Sequence, residues 1–169
     1  MGIGLLLLRL TLGLIFIAHG TQKLFGWFGG PGFDAIGQFF EALGFVPGRR
    51  HALMACLAET VGGLCLALGF FTPIAAAFLF SVMLVASVAV HIEKGFFAQN
   101  GGYEFGLVLG LGTLSLAFTG PGSLSLDALF GYAMSGTFWG VGALVVGLLG
   151  GAIQLVLRRR APQQTESGS

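Results

Sequence analysis

Residues 3–25 read IGLLLLRLTLGLIFIAHGTQKLF, and this stretch decides the fold class. At about 1.5 Å of rise per residue, an apolar helix of this length matches the ~30 Å hydrocarbon core of a bilayer. Arg9 interrupts the run near its start, and His19 and Lys23 stand near its end. A charge in hydrocarbon costs at least ~2.5–3.5 kcal/mol on insertion scales, so Arg9 is expected to face a bundle interior with a partner. No basic leader precedes the run and no A-x-A-like site follows it, so it is expected to be a retained helix and not a signal peptide.

Four further apolar segments lie at about 52–70, 72–91, 103–118 and 138–157, the third of them short. Glu59 falls inside the first. The expected fold is therefore all-α: a polytopic membrane protein with five transmembrane helices. The composition agrees. The chain is 55% hydrophobic and 9% charged, with a mean hydropathy of +0.90, whereas a soluble domain carries about 25% charged residues. Contact with the lipid bilayer follows, and a net charge of +1 argues against nucleic acid as a partner.

The connections differ in kind. Gly29-Gly30-Pro31-Gly32 is a loop, after which Phe33, Ile36, Phe39, Phe40 and Leu43 recur at helical spacing. That pattern predicts an interfacial amphipathic helix over about 33–44. Residues 93–102 form a polar loop. Residues 120–131, GPGSLSLDALFG, predict a turn and a short helix capped by Ser125 with Asp127 in its first turn. Pro73 suits the first turn of the third span. The tail 158–169 is polar and expected to be disordered.

The 30 glycines suit close packing of membrane helices, and Gly106-x-x-x-Gly110 and Gly147-x-x-x-Gly151 have the familiar spacing. Cys56 and Cys65 are nine residues apart on one predicted helix, about 13.5 Å, beyond the ~7 Å that a disulfide spans. They read as small apolar residues.

With five spans, the first loop, the third loop and the C-terminal tail share one side. Lys23, Arg49, Arg50, Lys94, Arg158, Arg159 and Arg160 all fall there. The excess of basic residues predicts a cytoplasmic C-terminus and an outside N-terminus.

Arg9, Gly13, Phe16, Gly20 and Lys23 lie on one stripe of the first helix, and Cys56, Glu59 and Gly63 share a face of the second. Helix polarity brings His19, Lys23, Glu59, His91 and Glu104 toward one end of the bundle. The candidate polar cluster is Arg9, His19, Lys23, Glu59, His91 and Glu104, and an Arg9–Glu59 pair is the expected contact between the first two helices. Each member also has a plainer reading: a structural ion pair for Arg9 and Glu59, interfacial polar residues for the histidines, a lysine reaching for headgroups, a favourable helix start for Glu104. No metal-ligand motif is present, so no metal is expected. Seventeen phenylalanines, two Trp and two Tyr make a quinone or another isoprenoid the cofactor that the composition would accommodate.

The ordered set LLRLTLGLIFIAHGTQKLFG (7–26), LAETVGGLCLALGFFTP (57–73), His91 with Gly95-Phe96-Phe97 after it, Glu104, and GPGSLSLDALFG resembles the DoxX family of small bacterial membrane proteins. The likeness covers roughly residues 3–131 and implies a four-helix transmembrane bundle in residues 1–131 with an additional C-terminal transmembrane helix in 132–157. It implies that the bundle lies in the bacterial plasma membrane with both termini in the cytoplasm, which conflicts with the count of basic residues. It also implies a tie to redox proteins, since relatives include the small subunit of an archaeal thiosulfate:quinone oxidoreductase and a member associated with a mycobacterial membrane oxidoreductase complex. The positions carried over are Arg9, His19, Gly20, Lys23, Glu59, Gly63, His91, Glu104 and Asp127, with Gly120 and Gly122 as structural positions of the last motif. The function expected is a membrane subunit of a redox-linked, quinone-linked assembly with a membrane or peripheral oxidoreductase partner. A non-catalytic accessory subunit and a small transporter are the alternatives, and no residue is assigned a catalytic role.

Overall fold

The computed structural model describes residues 2–158, and among these there are helices and loops but no strand. The helices are α1 (Gly2–Phe25), α2 (Gly32–Ala42), α3 (Gly48–Leu68), α4 (Thr72–Ala86), α5 (Glu104–Thr119), α6 (Leu126–Leu129) and α7 (Thr137–Leu157). A π-helical turn, Ser87–His91, continues α4, and with it the third span runs to Lys94. Among the described residues four helices are long and apolar enough to cross a membrane, and α5 is a shorter apolar helix. The protein is an all-α polytopic membrane protein. Met1 and residues 159–169, where the polar tail was expected, lie outside the described residues.

α1 packs antiparallel on α3, and glycine sets how closely. A Cβ added at Gly13 would sit 2.5 Å from the Gly63 carbonyl oxygen, and one at Gly63 would sit 2.8 Å from the Gly13 carbonyl oxygen. One turn pair further on, Gly20 lies against Cys56 and Thr60. The backbones touch, as small residues allow in hydrocarbon, where packing and not the hydrophobic effect holds helices together. Phe16 fills the space between the two glycine contacts and is fully buried, as are Leu66, Leu79 and Leu116.

α4 stands in the middle. Gly106 and Gly110 of α5 rest on Ser87 and Phe80, and Gly147 and Gly151 of α7 rest on Phe80 and Leu84. Both small-residue pairs noted in the sequence therefore turn toward the same helix. Outward faces carry exposed apolar residues such as Leu14, Val61, Phe78 and Val145, as a lipid-facing surface requires.

The ends of α3 and α4 meet in a three-residue turn. Gly69 ends α3 at φ +64 with Phe70 N–H bonded to Cys65 O at 2.8 Å, a left-handed helix stop that glycine makes without strain. Phe71 follows at φ +47, which a bulky residue adopts only when its surroundings hold it there. The α3 start comes four residues earlier than the hydropathy suggested, because Pro47 in extended conformation frees Gly48–His51 to begin the helix.

Gly13→Ala and Gly63→Ala are each expected to lower stability by about 1–3 kcal/mol through forced separation of two backbones. Gly4→Ala, which meets nothing within 4 Å, is expected to leave it unchanged; thermal unfolding in detergent compares the three.

Candidate functional site

The α1–α3 register decides which charges meet. Gly13 faces Gly63–Ala67, and Gly20 faces Cys56–Thr60, so a position on α1 lies level with the α3 position whose number brings the sum to roughly 78. Glu59 is therefore level with His19, and Arg9 with Gly69. Arg9 and Glu59 are offset by about ten residues along the axis, about 15 Å, and the expected Arg9–Glu59 pair does not form. Glu59 pairs instead with Lys23, whose Nζ donates to both carboxylate oxygens at 2.6 and 2.7 Å. Glu59 is 1% exposed and the Lys23 side chain 26%, so the lysine reaches up from the bundle end to neutralise a carboxylate held in the interior. His19 lies within the electrostatic reach of both charges and lines a small pocket of about 310 Å³ with Gln22 and Phe105.

Arg9 belongs to the opposite end. Its Nη2 donates to the Leu124 carbonyl, and Asp127 is the nearby counter-charge. Asp127 accepts from Phe71 N at 2.8 Å, Thr72 N at 3.0 Å and Thr72 Oγ1 at 2.8 Å. It thereby caps α4 from a distant segment and holds the strained turn. Ser125 caps α6 through Ala128 N, as its spacing predicts. Gly120 ends α5 at φ +80, and Gly122 turns at φ +84 under Leu5, which lets the 120–125 segment fold back across α1.

His91 and Glu104 sit at the Lys23 end but serve the loop between them. His91 Nδ1 bonds the Gly101 carbonyl at 2.6 Å. Glu104 accepts from Ala98 N at 2.9 Å. The six-residue cluster expected from the sequence thus resolves into three groups: Lys23–Glu59 with His19, Arg9 with Asp127, and the loop-holding pair His91 and Glu104. Among the described residues no three His, Cys, Asp or Glu side chains gather as a metal set.

Sequence reasoning missed His51 and Gln154. His51 Nδ1 and Gln154 Oε1 are 2.9 Å apart, joining the start of α3 to the end of α7. No local signal links residues 103 positions apart. Their contact spans one end of a groove of about 940 Å³. α3 and α4 leave their tight turn and diverge, α7 walls the gap, and Phe39, Phe40 and Phe45 of the α2 region roof its far end. The walls are apolar and open sideways past exposed Leu57, Val61 and Ile74. Apart from Ser81 on the wall, the polar lining gathers at the roofed end: Lys23, His51, His91 and Gln154.

A family model, DoxX, matches residues 4–92. Among curated proteins the chain is 32% identical to "Inner membrane protein YqjF" of Escherichia coli (strain K12) over 75% of this chain and 92% of the relative. It is 33% identical to "Putative oxidoreductase CatD" of Bacillus subtilis (strain 168), over 74% of this chain and 85% of that one. A second E. coli relative, "Inner membrane protein YphA", is 32% identical over 73% and 87%. No solved structure gives a significant match.

Removing one partner of the Lys23–Glu59 pair leaves the other charge buried. Lys23→Met or Glu59→Leu alone is expected to cost about 3 kcal/mol, and the double substitution to recover most of that loss; a double-mutant cycle by thermal unfolding measures both.

Proposed function

The chain belongs to the DoxX family, and on that premise we propose that it is the membrane subunit of a redox-linked assembly whose groove holds a lipid-soluble quinone. The groove is the observation that carries the reading. Its walls are largely apolar and reachable from the hydrocarbon, and apart from Ser81 its polar side chains stand at one end, which is the distribution a long isoprenoid tail with a hydrogen-bonding head requires. The B. subtilis relative bears an oxidoreductase name, which supports a redox role. Cys56 and Cys65 are both free and share α3, too far apart to cycle as a dithiol. The electrons are therefore assigned to a membrane or peripheral oxidoreductase partner, with this chain supplying the quinone's place.

The groove's polar end lies with the Lys23, Arg49, Arg50, Lys94 and Arg158 end of the bundle, and an excess of basic residues marks the cytoplasmic side. The C-terminus is accordingly assigned to the cytoplasm. A non-catalytic accessory subunit is the second reading, favoured by the mutual neutralisation of Lys23 and Glu59, which leaves that pair no free charge for chemistry.

Extraction of the protein purified in mild detergent is expected to yield quinone in near-stoichiometric amount. Ala89→Phe, filling the groove wall, is expected to lower that amount about ten-fold, the effect of about 1.4 kcal/mol of lost packing, with no fall in unfolding temperature. Quinone-free protein, with activity of the native complex unchanged by Ala89→Phe, would favour the accessory reading. Alkaline phosphatase fused at the C-terminus is expected to be inactive.

A further inference from the structure

We infer that the polar end of the groove selects the reduced, dihydroxy head of a quinone over the oxidised dione, through two histidines whose tautomers the fold locks. The inference rests on the quinone reading above and adds the form of ligand that the site prefers.

A backbone carbonyl oxygen only accepts. His91 Nδ1, 2.6 Å from Gly101 O, must therefore carry the proton, which leaves Nε2 of the neutral ring as a bare acceptor. An amide oxygen also only accepts, so His51 Nδ1, 2.9 Å from Gln154 Oε1, carries the proton and its Nε2 is bare as well. Both histidines line the same groove, one at the start of α3 and one at the end of the α4 span. The groove end thus offers two acceptors that only a donor can satisfy. A hydroquinone has two O–H groups to give. A dione has none, and binding it would leave both ring nitrogens unpaired in an apolar enclosure, where an unmet acceptor is costly.

Charge points to the same class. Among the described residues Lys23 is the one formally charged side chain in the lining, and Glu59 takes it with both oxygens. Arg158 lies outside the lining, with Nε donating to Leu43 O at 2.5 Å and its guanidinium over the Phe45 ring at 5.9 Å. Among the described residues the lining itself carries no uncompensated charge, which suits a neutral head. The Gln154 amide N–H groups remain as donors, and a hydroxyl oxygen accepts from them as readily as a carbonyl does, so they do not favour the dione.

The test is the binding of decylubiquinol and decylubiquinone to the full chain in nanodiscs under argon, with a phosphatidylglycerol competitor in a parallel titration. The expected result is tighter binding of the quinol by about ten-fold or more, since one unmet acceptor alone costs about a factor of ten. Gln154→Leu, which frees the His51 tautomer, is expected to shrink that preference, while Ser81→Ala, elsewhere on the wall, leaves it intact. Nitrogen-15 spectra of the neutral rings should show Nδ1 protonated and Nε2 bare in both His51 and His91, a readout that does not depend on variants folding. Equal affinities, tighter dione binding, or Nε2-protonated rings would overturn the inference and leave the quinone groove standing. Binding of neither form, or displacement of both by phosphatidylglycerol alone, would overturn the quinone reading and this inference with it.

Discussion

The contact of α1 with α3 across Gly13, Gly20 and Gly63 is the constraint on which the rest of the structure depends. Glycine at these positions removes the side chains that would otherwise hold the helices apart, so carbonyl oxygens of one backbone touch the other. In hydrocarbon there is no solvent to drive the helices together, and such close approach supplies the attraction. It also fixes the axial register with little freedom, because Phe16 is buried between the two glycine levels. Register then chooses partners. Glu59 is placed beside His19 and within reach of Lys23, and Arg9 is carried to the level of Gly69, beyond reach of Glu59.

Much of this was legible. The five apolar segments, the amphipathic helix before α3, the cap at Ser125 and the buried stripe of α1 all follow from hydropathy and periodicity, because each is decided within one helix. The Arg9–Glu59 pairing is not decided within one helix: a contact between helices depends on how they slide against each other, and the register carries the two charges apart. The information was present: Gly13 and Gly20 are seven residues apart, as are Cys56 and Gly63, and laying these pairs against each other sets Glu59 opposite Ile17, toward His19 and away from Arg9. His51 offered no such handle. In GRRH, at the head of a helix, it reads as a solvated polar residue, and only the path of α7 brings Gln154 to it.

The second buried charge explains why the 120–131 segment is tied so firmly. Asp127 replaces the missing cap of α4 and accepts the N–H groups of Phe71 and Thr72, which offsets the strain of Phe71 at positive φ. A carboxylate in that position needs a counter-charge, and Arg9 provides it while bonding Leu124 O. Arg9 and Asp127 are 2% and 1% exposed; their opposite charges attract without forming a direct salt bridge, and among the described residues Arg9 Nε and Nη1 find no hydrogen-bond partner. Neither was chosen by local propensity: the arginine sits in a run of leucines and the aspartate in a four-residue helix.

The groove follows from the same small residues used in the opposite way. Where glycine on one helix meets backbone or a fitting side chain on another, the helices close; where Ala55, Ala58, Ala86 and Ala89 look across the α3–α4 gap, nothing reaches over and the gap stays open. In water an apolar opening of about 940 Å³ would invite collapse or association. In a bilayer it costs little, because lipid tails solvate its walls as well as leucine would. An open apolar groove is therefore weak evidence of a ligand on its own. What sets this one apart is its end, where Lys23, His51, His91 and Gln154 are drawn in from four different helical segments under the α2 roof. Their hydrogen bonds to Glu59, to one another and to the backbone hold them at that end of the groove, and a ligand with a polar head finds hydrogen-bonding groups there that lipid tails cannot use.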